Sequence, residues 1–498
     1  MPAFDELRPA FPIPEALSRE YLEGYLVLPL TVADGRLRVA AAGEPDPQAL
    51  DDLERLFEAT PEVVPVEEER LRDAIRRALD QSASVLELVD APDSTVGSDE
   101  AGQELLADAR DLATQPPVVR YVNLLLRDAY GAGASDIHLE SAADGLRARW
   151  RIDGVLGEAV APPAGMADAV VSRVKLLAGL DIAERRVPQD GRIRVRLEQR
   201  ELDLRVSSMP SLHGESVVLR LLDRGEGPAA LESLGMDPAT YTAFRSLALR
   251  PHGILLVTGP TGSGKTTTLH AALGLRDAGR EKIVTVEDPI EYRLAGIVQV
   301  PVNPKAGNTF ATVLRGVLRQ DPDVVMVGEM RDQGTAGIAV RAALTGHLVF
   351  STLHTNDAVS AVPRLVDLAV EEYLVASTLE GVLAQRLVRQ TCPECRQRYH
   401  PDPQVVALLS GKPVGQMTLE RGVGCDACRH TGYRGRTGLF ELLVFGDELK
   451  ELVARRAPRG ELRDRARAHR LATLRDDGWT KVQAGITTVE EVLRVTAQ

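Results

Sequence analysis

Gly259-Pro-Thr-Gly-Ser-Gly-Lys-Thr266 is the stretch whose reading decides the fold. It fits the phosphate-binding pattern G-x-x-x-x-G-K-[ST] at every fixed position. The apolar run Ile254–Val257 predicts a buried strand ending at this loop, and Thr267–Leu273 predicts the start of a helix. Gly259, Gly262 and Gly264 let the backbone curl so that successive N–H groups face an anion. The helix N-terminus adds partial positive charge. Pro260, Thr261, Ser263 and Thr267 complete the expected nucleotide-binding set. Lys265 can reach the β- and γ-phosphates, and Thr266 can ligate Mg²⁺ through its hydroxyl. The expected ligand is ATP or GTP.

Two acidic segments follow. The predicted strand Lys282–Val286 leads into Glu287-Asp-Pro-Ile-Glu291, whose carboxylates could orient water or Mg²⁺. Taken alone, an acidic turn before Pro289 is the simpler reading. The predicted strand Asp323–Val327 leads into Gly328-Glu-Met-Arg-Asp332. An acidic residue after a buried strand is the usual partner of a phosphate loop, so Glu329 is the candidate to polarise the attacking water. A further strand, Leu348–Thr352, ends at His354-Thr-Asn-Asp357. His354 is a candidate γ-phosphate sensor, a role that rests on this context, since a lone histidine is more often structural.

The four cysteines form two C-x-x-C knuckles, Cys392/Cys395 and Cys425/Cys428, with 29 residues between them. The pattern matches a tetrahedral Cys₄ zinc site, with a spacer longer than usual. Two disulfides are the alternative, which reducing cytosol disfavours. Four thiolates on one Zn²⁺ leave no open position for catalysis.

At 498 residues the chain should hold about three domains. The first 100 residues carry nine arginines, no lysine and 23 acidic side chains, a charge of −14. The remainder carries +1, for a total of −13. An acidic N-terminal part argues against nucleic acid as its partner; it is either a solvated face or a docking surface for a basic partner. Seven lysines stand against 52 arginines, so a lysine in the phosphate loop is not background. No run of about 18 uncharged apolar residues appears, and Met-Pro-Ala-Phe-Asp-Glu lacks the order of a secretory signal. The expected location is cytoplasmic, with any membrane association made through a partner or a surface.

The expected organisation is an N-terminal α/β domain over 1–90, a linker over 91–115, a second domain over 116–228 and the loop-bearing domain over 238–498. In the first, Tyr25–Thr31 and Arg36–Ala42 read as strands around Ala33-Asp-Gly35, and Pro47–Glu58 and Glu67–Ala83 have helical spacing. Ala91–Gly102 is small, polar and acidic. In the second, the amphipathic helix Val118–Tyr130 precedes strands at Leu146–Ile152, Arg192–Leu197, Leu202–Ser207 and Ser216–Leu222. Asp223–Pro228 is a Gly-containing break. The third alternates strands and helices, which implies a mostly parallel sheet covered by helices.

Together these motifs resemble one family, the type II secretion traffic ATPases (general secretion pathway protein E). The resemblance is carried by Gly133-Ala-Ser-Asp-Ile-His-Leu-Glu140, Arg151-Ile-Asp-Gly154, Val187-Pro-Gln-Asp-Gly-Arg192 and Leu204-Arg-Val-Ser-Ser-Met-Pro210. It continues through the phosphate loop, Val286-Glu-Asp-Pro-Ile-Glu-Tyr292, Leu318-Arg-Gln-Asp-Pro-Asp323 and Thr345-Gly-His347 to Thr355, and ends with the cysteines and Gly432-Tyr-Arg-Gly-Arg-Thr-Gly438. It covers residues 116 to 498, and more weakly 1–90.

The resemblance implies an α/β protein: a RecA-like P-loop ATPase core, a PAS-like α/β second domain, a small α/β N-terminal domain and a Cys₄ zinc subdomain at about 390–436. It implies an ATP-, Mg²⁺- and Zn²⁺-dependent homo-hexamer that drives pseudopilus assembly and protein export. The first domain would dock on the cytoplasmic domain of a bitopic inner-membrane platform protein, beside a polytopic one, holding the enzyme peripherally at the inner membrane. Lys265, Thr266, Glu329, Glu291 and His354 would take the roles above. Arg205, Arg220, Arg315, Arg319, Arg331 and Arg436 fall where the family keeps nucleotide-linked or interface arginines. Arg205 and Arg220, on neighbouring predicted strands, would meet phosphate oxygens; pairing with Asp203 and Glu215 is the alternative. The extension ATPase of type IV pili is the nearest rival. A nucleotide-gated scaffold and a nucleic-acid motor are others, the last disfavoured by the acidic balance and the lack of a basic, aromatic groove.

Overall fold

The computed structural model describes residues 17–75 apart from 18, 34, 44, 58, 69 and 73; residues 87–88; residues 113–223 apart from 164, 198 and 199; residue 227; and residues 229–497 apart from 412–416. Of the linker expected over 91–115, residues 91–112 lie outside these residues. The chain divides into two compact units. One comprises 1–132, 138–148 and 159–221; the other comprises 133–137, 149–158 and 222–498.

Near the N-terminus, Val27–Ala33 and Arg36–Ala41 pair antiparallel as the sequence predicts, and Arg36–Ala41 pairs parallel with Thr60–Pro65, which the sequence pattern does not pick out. Leu22, Leu28, Leu37, Val39, Leu53 and Ile75 bury a small apolar core here. Among the described residues of this region no charged side chain is buried. A seven-stranded sheet follows, in the spatial order Glu87–Leu88, Gln189–Leu197, Arg200–Ser211, Gly214–Asp223, Ala134–Ala142, Gly145–Ile152 and Val155–Glu158. Helices Pro116–Gly131 and Ala167–Leu177 accompany it. Lys175 is fully buried, and its Nζ donates to Glu215 Oε1 and Glu184 O, each at 2.7 Å. That contact and a bond from Ser208 engage Glu215.

The loop-bearing sheet has seven strands: Val298–Pro301, Ile283–Glu287, Val324–Val327, Leu348–Leu353, Gly253–Thr258, Leu379–Thr391 and Tyr433–Val444. Every neighbouring pair is parallel except the last. Gly253–Thr258, Val324–Val327 and Leu348–Leu353 are buried at every position, which is why they read as unbroken apolar runs. Their alternate residues feed two cores. Ile254, Leu256, Val325 and Val349 face one, and Leu255, Val257, Met326 and Phe350 face the other. Among the described residues, no helix is long and apolar enough to cross a membrane.

Helix Leu474–Gln483 is fastened to the antiparallel edge by a buried ion pair. Lys481 Nζ donates to Asp477 Oδ2 at 2.6 Å and to Gly438 O at 2.7 Å, and Phe440 N donates to the same carboxylate at 2.8 Å. Lys481→Ala would strand a buried carboxylate and should cost about 3 kcal/mol. Chemical denaturation should register this, and Lys481→Ala/Asp477→Ala should cost less than the sum of the single changes. Additive costs would mean that the pair is not coupled.

Candidate functional site: a nucleotide cleft and a four-cysteine cluster

The strands Gly253–Thr258 and Leu348–Leu353 pair flush, from Gly253 opposite Leu348 to Thr258 opposite Leu353. Val327 pairs with Ser351 and with Val286. The carboxyl ends of four parallel strands therefore align, and the segments that leave them converge. Thr261, Gly262, Gly264, Lys265, Thr266, Thr267, Glu291, Glu329, Arg331, His354 and Arg436 all line one cleft of about 410 Å³.

The loop's geometry depends on glycine. Gly262 and Gly264 have φ of +77° and +84°, and Gly264 caps helix Lys265–Leu273. A Cβ on Gly259 would sit 2.5 Å from Gln385 O, and one on Gly264 would sit 2.8 Å from Gln385 Nε2. Ser263 Oγ is buried without a hydrogen-bond partner among the described residues. An orphaned hydroxyl, turned amides and a helix start fit a bound phosphate chain.

Lys265 is only 9% exposed, and its Nζ donates to Gly259 O at 2.9 Å and Pro260 O at 3.0 Å. Burial pushes its pKa down to about 8; Glu329 raises it and Arg386 lowers it further. Glu329 Oε1 lies 2.6 Å from Arg331 Nη2, and its Oε2 lies 3.6 Å from His354 Nε2. Burial, followed by the charge of Lys265, holds the His354 imidazole below its ordinary pKa, so it is neutral at neutral pH.

The sequence pattern gives Glu287 no role of its own. This residue also lines the cleft and is only 3% exposed. Thr285 Oγ1 at 2.5 Å and Gln299 Nε2 at 3.0 Å donate to it, and His270 Nε2 stands at 3.1 Å. Burial alone would raise its pKa, but these hydrogen bonds hold it below the usual carboxylate range. Glu287 closes a buried strand, so its inward side chain follows from the strand's extent, one residue beyond the predicted end. Asp153, in the Arg151-Ile-Asp-Gly154 stretch, likewise has no role in the sequence reading. Its Oδ1 lies 3.6 Å from Arg436 Nε, and its Oδ2 accepts from Gly435 N at 2.9 Å.

Two of the expected arginines lie outside this cleft. Arg315 and Arg319 are exposed, Arg319 Nη1 donating to Arg315 O at 2.9 Å, and neither lines the cleft. Arg205 and Arg220 occupy the adjacent strands Arg200–Ser211 and Gly214–Asp223.

The four cysteine sulfurs lie within 4.8 Å of one another. Cys392–Cys425, Cys395–Cys428 and Cys425–Cys428 are separated by 3.9, 3.8 and 3.7 Å. Disulfides require about 2.05 Å. Four sulfurs about 2.3 Å from a central Zn²⁺ would stand roughly 3.8 Å apart along tetrahedral edges. The 29-residue spacer folds as Arg396–Tyr399 paired with Leu419–Gly422, with helix Pro403–Ser410 in between. Backbone N–H groups of Gly424, Cys425 and Gly432 donate to cluster sulfurs at 3.2–3.3 Å, as suits thiolates. The donor set fits a tetrahedral thiophilic metal.

The type II/IV secretion system protein family matches residues 111–494, and the MshEN domain matches residues 4–85. The type II secretion system ATPase E of Vibrio cholerae is 53% identical over 77% of this chain and 76% of its own. The type IV pilus assembly ATPase PilB of Myxococcus xanthus is 43% identical over 96% of this chain and 86% of its own. The structure of the pilus retraction motor PilT with bound ADP is similar at a TM-score of 0.52 and 26% identity, covering 75% of this chain and 96% of that one. With the loop, the converging strand ends and these matches taken together, the chain belongs to the type II/IV secretion system protein family, as a type II secretion ATPase.

Proposed function

We propose that this chain hydrolyses ATP to drive pseudopilus assembly and protein export. The observation that carries this is the meeting of Lys265, Thr266, Glu329, Glu291 and His354 in one cleft. Loop amides and Lys265 hold the β- and γ-phosphates. Glu329 orients a water and takes its proton as the oxygen attacks the γ-phosphorus. The bond to the β-phosphate oxygen breaks, giving ADP and phosphate. His354, neutral beside Glu329, donates to the γ-phosphate. Thr266 and Glu291 would hold Mg²⁺, which when bound neutralises charge on the β- and γ-oxygens. Arg331 and Arg436 border the same space. Arg315 and Arg319, exposed on another surface, suit contacts between copies in a homo-hexamer, and Arg205 and Arg220 supply phosphate contacts from the second domain. Cys392, Cys395, Cys425 and Cys428 would hold a structural Zn²⁺.

The proposed domains keep the bounds 1–90, 91–115, 116–228 and 238–498. Residues 1–90 dock on the cytoplasmic domain of a bitopic inner-membrane platform protein, next to a polytopic one. Type IV pilus extension is the second reading, favoured by the likeness to the Myxococcus pilus ATPase. The higher identity to the Vibrio secretion ATPase favours export. Glu329→Gln should keep ATP binding, slow single-turnover hydrolysis by about 10²- to 10³-fold and block secretion in complemented cells. Parent-rate hydrolysis would remove Glu329 from the mechanism. Parent-level secretion alongside lost pilus extension would move the enzyme to the second reading.

A lysine with a pKa of about 8 is an ammonium below that pH and increasingly neutral above it. Triphosphate binding favours the charged form, so binding at pH 8 should take up roughly half a proton. Affinity should fall as pH rises from about 7 to about 9. Calorimetry in buffers of different ionisation enthalpy measures the uptake, which should vanish in Lys265→Met.

Cys395→Ser should remove most zinc from the reduced protein and destabilise residues 390–436 while leaving nucleotide binding intact. Elemental analysis and protease mapping check this. A parent protein without zinc, and unchanged by chelation, would refute the metal site.

A further inference from the structure

A second cavity, about 290 Å³, shares no lining residue with the nucleotide cleft. Its walls include Asn356, Arg386 of strand Leu379–Thr391, and Arg463, Arg467 and Arg475 near the C-terminus. Two carboxylates, Asp357 and Glu441, also border it, and both are engaged. Asp357 accepts from Arg459 at 2.7 Å, Arg463 at 3.1 Å and Ser360 N at 2.7 Å. Glu441 accepts from Ala358 N at 2.8 Å and Leu474 N at 3.4 Å.

That leaves a surplus of guanidinium charge. Arg386 is only 9% exposed, yet its hydrogen bonds at 3.2 Å go to Gln385 O, Asn356 O and Asn356 Oδ1, all neutral acceptors. No carboxylate forms an ion pair with it among the described residues. Burial depresses its pKa, an effect that the charges of Glu441 and Asp357, neither of them ion-paired with it, offset only in part. A buried guanidinium is ordinarily paired with an anion. The Arg467 side chain, exposed at the rim, makes no hydrogen bond or ion pair among the described residues. Arginine's planar fork matches phosphate oxygens bidentately, and the volume suits a small ligand rather than a chain segment.

We propose that this cavity is a second phosphate-binding site, taking a phosphate-bearing small anion on Arg386 and Arg467. The cavity is separate from the nucleotide cleft, although Arg386 backs onto the phosphate loop, where a Cβ on Gly259 would sit 3.2 Å from Arg386 Nη1. The phosphate can belong to a soluble ligand or to a lipid headgroup, and the two sources are separable.

The test uses the full chain with its nucleotide cleft saturated by Mg·ADP. Inorganic pyrophosphate is titrated by calorimetry, and vesicles of phosphatidylcholine and phosphatidylglycerol at about 3:1 are co-sedimented in parallel. The expected result is one pyrophosphate per chain, weakened about tenfold or more by Arg467→Glu and by Arg386→Gln. Arg467→Glu alters an exposed helical side chain and leaves the fold intact, so it decides the matter should Arg386→Gln fail to fold. Lys265→Ala, which impairs the nucleotide cleft, should weaken this binding far less than Arg467→Glu does, which separates the two sites. Vesicle binding that Arg467→Glu abolishes, without pyrophosphate binding, would assign the phosphate to a headgroup. Binding of neither probe, or binding that survives Arg467→Glu undiminished, would overturn the proposal.

Discussion

The structure of the ATPase domain depends on how closely the phosphate loop lies against the strand Leu379–Thr391. Gly259 and Gly264 have no room for a methyl group, because Gln385 fills the space from both its carbonyl and its side-chain amide. Thr268 Oγ1 donates to Gln385 Oε1 at 2.7 Å, so the helix that follows the loop is tied to the same residue. Thr258 Oγ1 lies 2.8 Å from Thr355 Oγ1, which fixes the loop's entry to the segment carrying His354. The loop is therefore not a free glycine turn. It is clamped before, within and after its curve, and its amides are held ready for an anion without reorganisation.

That clamp needs neighbouring strands held in fixed register: Gly253–Thr258 is flush with Leu348–Leu353, and its pairing with the longer Leu379–Thr391 shifts once, between Ile254 and Leu255. Gly253–Thr258, Leu348–Leu353 and Leu379–Thr391 run parallel and buried, so their ends cannot slide without turning apolar side chains out of the two cores. Glu329 and His354 then meet because each begins a segment leaving an aligned strand end. Their electrostatics follow from the same burial. Desolvation discharges Lys265 more readily and keeps His354 neutral, while Glu329, between them and Arg331, supplies the compensating charge.

Much of this is legible in the sequence because buried parallel strands announce themselves as apolar runs, and the loop has a fixed chemistry. Gly253–Thr258, Ile283–Glu287, Val324–Val327 and Leu348–Leu353 all lie within a residue or so of their expected bounds. The long antiparallel pair Leu379–Thr391 and Tyr433–Val444 is not legible. Its first member carries Glu380, Gln385 and Arg386 inside a buried strand, where Lys450 meets Glu380 and Thr268 meets Gln385, partners that no local pattern encodes. Thr60–Pro65 escapes notice because two prolines and a glutamate disguise a short strand. Glu287 reads as part of an acidic turn, since only its three hydrogen-bond partners, one of them 17 residues away, make a buried carboxylate tolerable. The four cysteines are legible as a set, because thiol spacing survives whatever the spacer does.

The cysteine cluster and the nucleotide cleft are joined by the strand between them. Cys392 N donates to Gly432 O at 2.9 Å, and Gly432 N donates to Cys428 Sγ at 3.2 Å. Gly422 and Gly432 touch so closely that a Cβ on Gly422 would overlap the Gly432 carbonyl. Gly432, at φ +78°, thus has its position set by the cluster and its backbone turn set by glycine. Strand Tyr433–Val444 starts at the next residue, and Arg389 pairs with Arg436 in its register. Three residues into that strand, Arg436 stands at the edge of the cleft, held by Asp153. Four thiolates around one metal ion leave no site for chemistry. What the cluster can do is fix where this strand begins, and a slip of one residue there would turn Arg436 to the opposite face of the sheet.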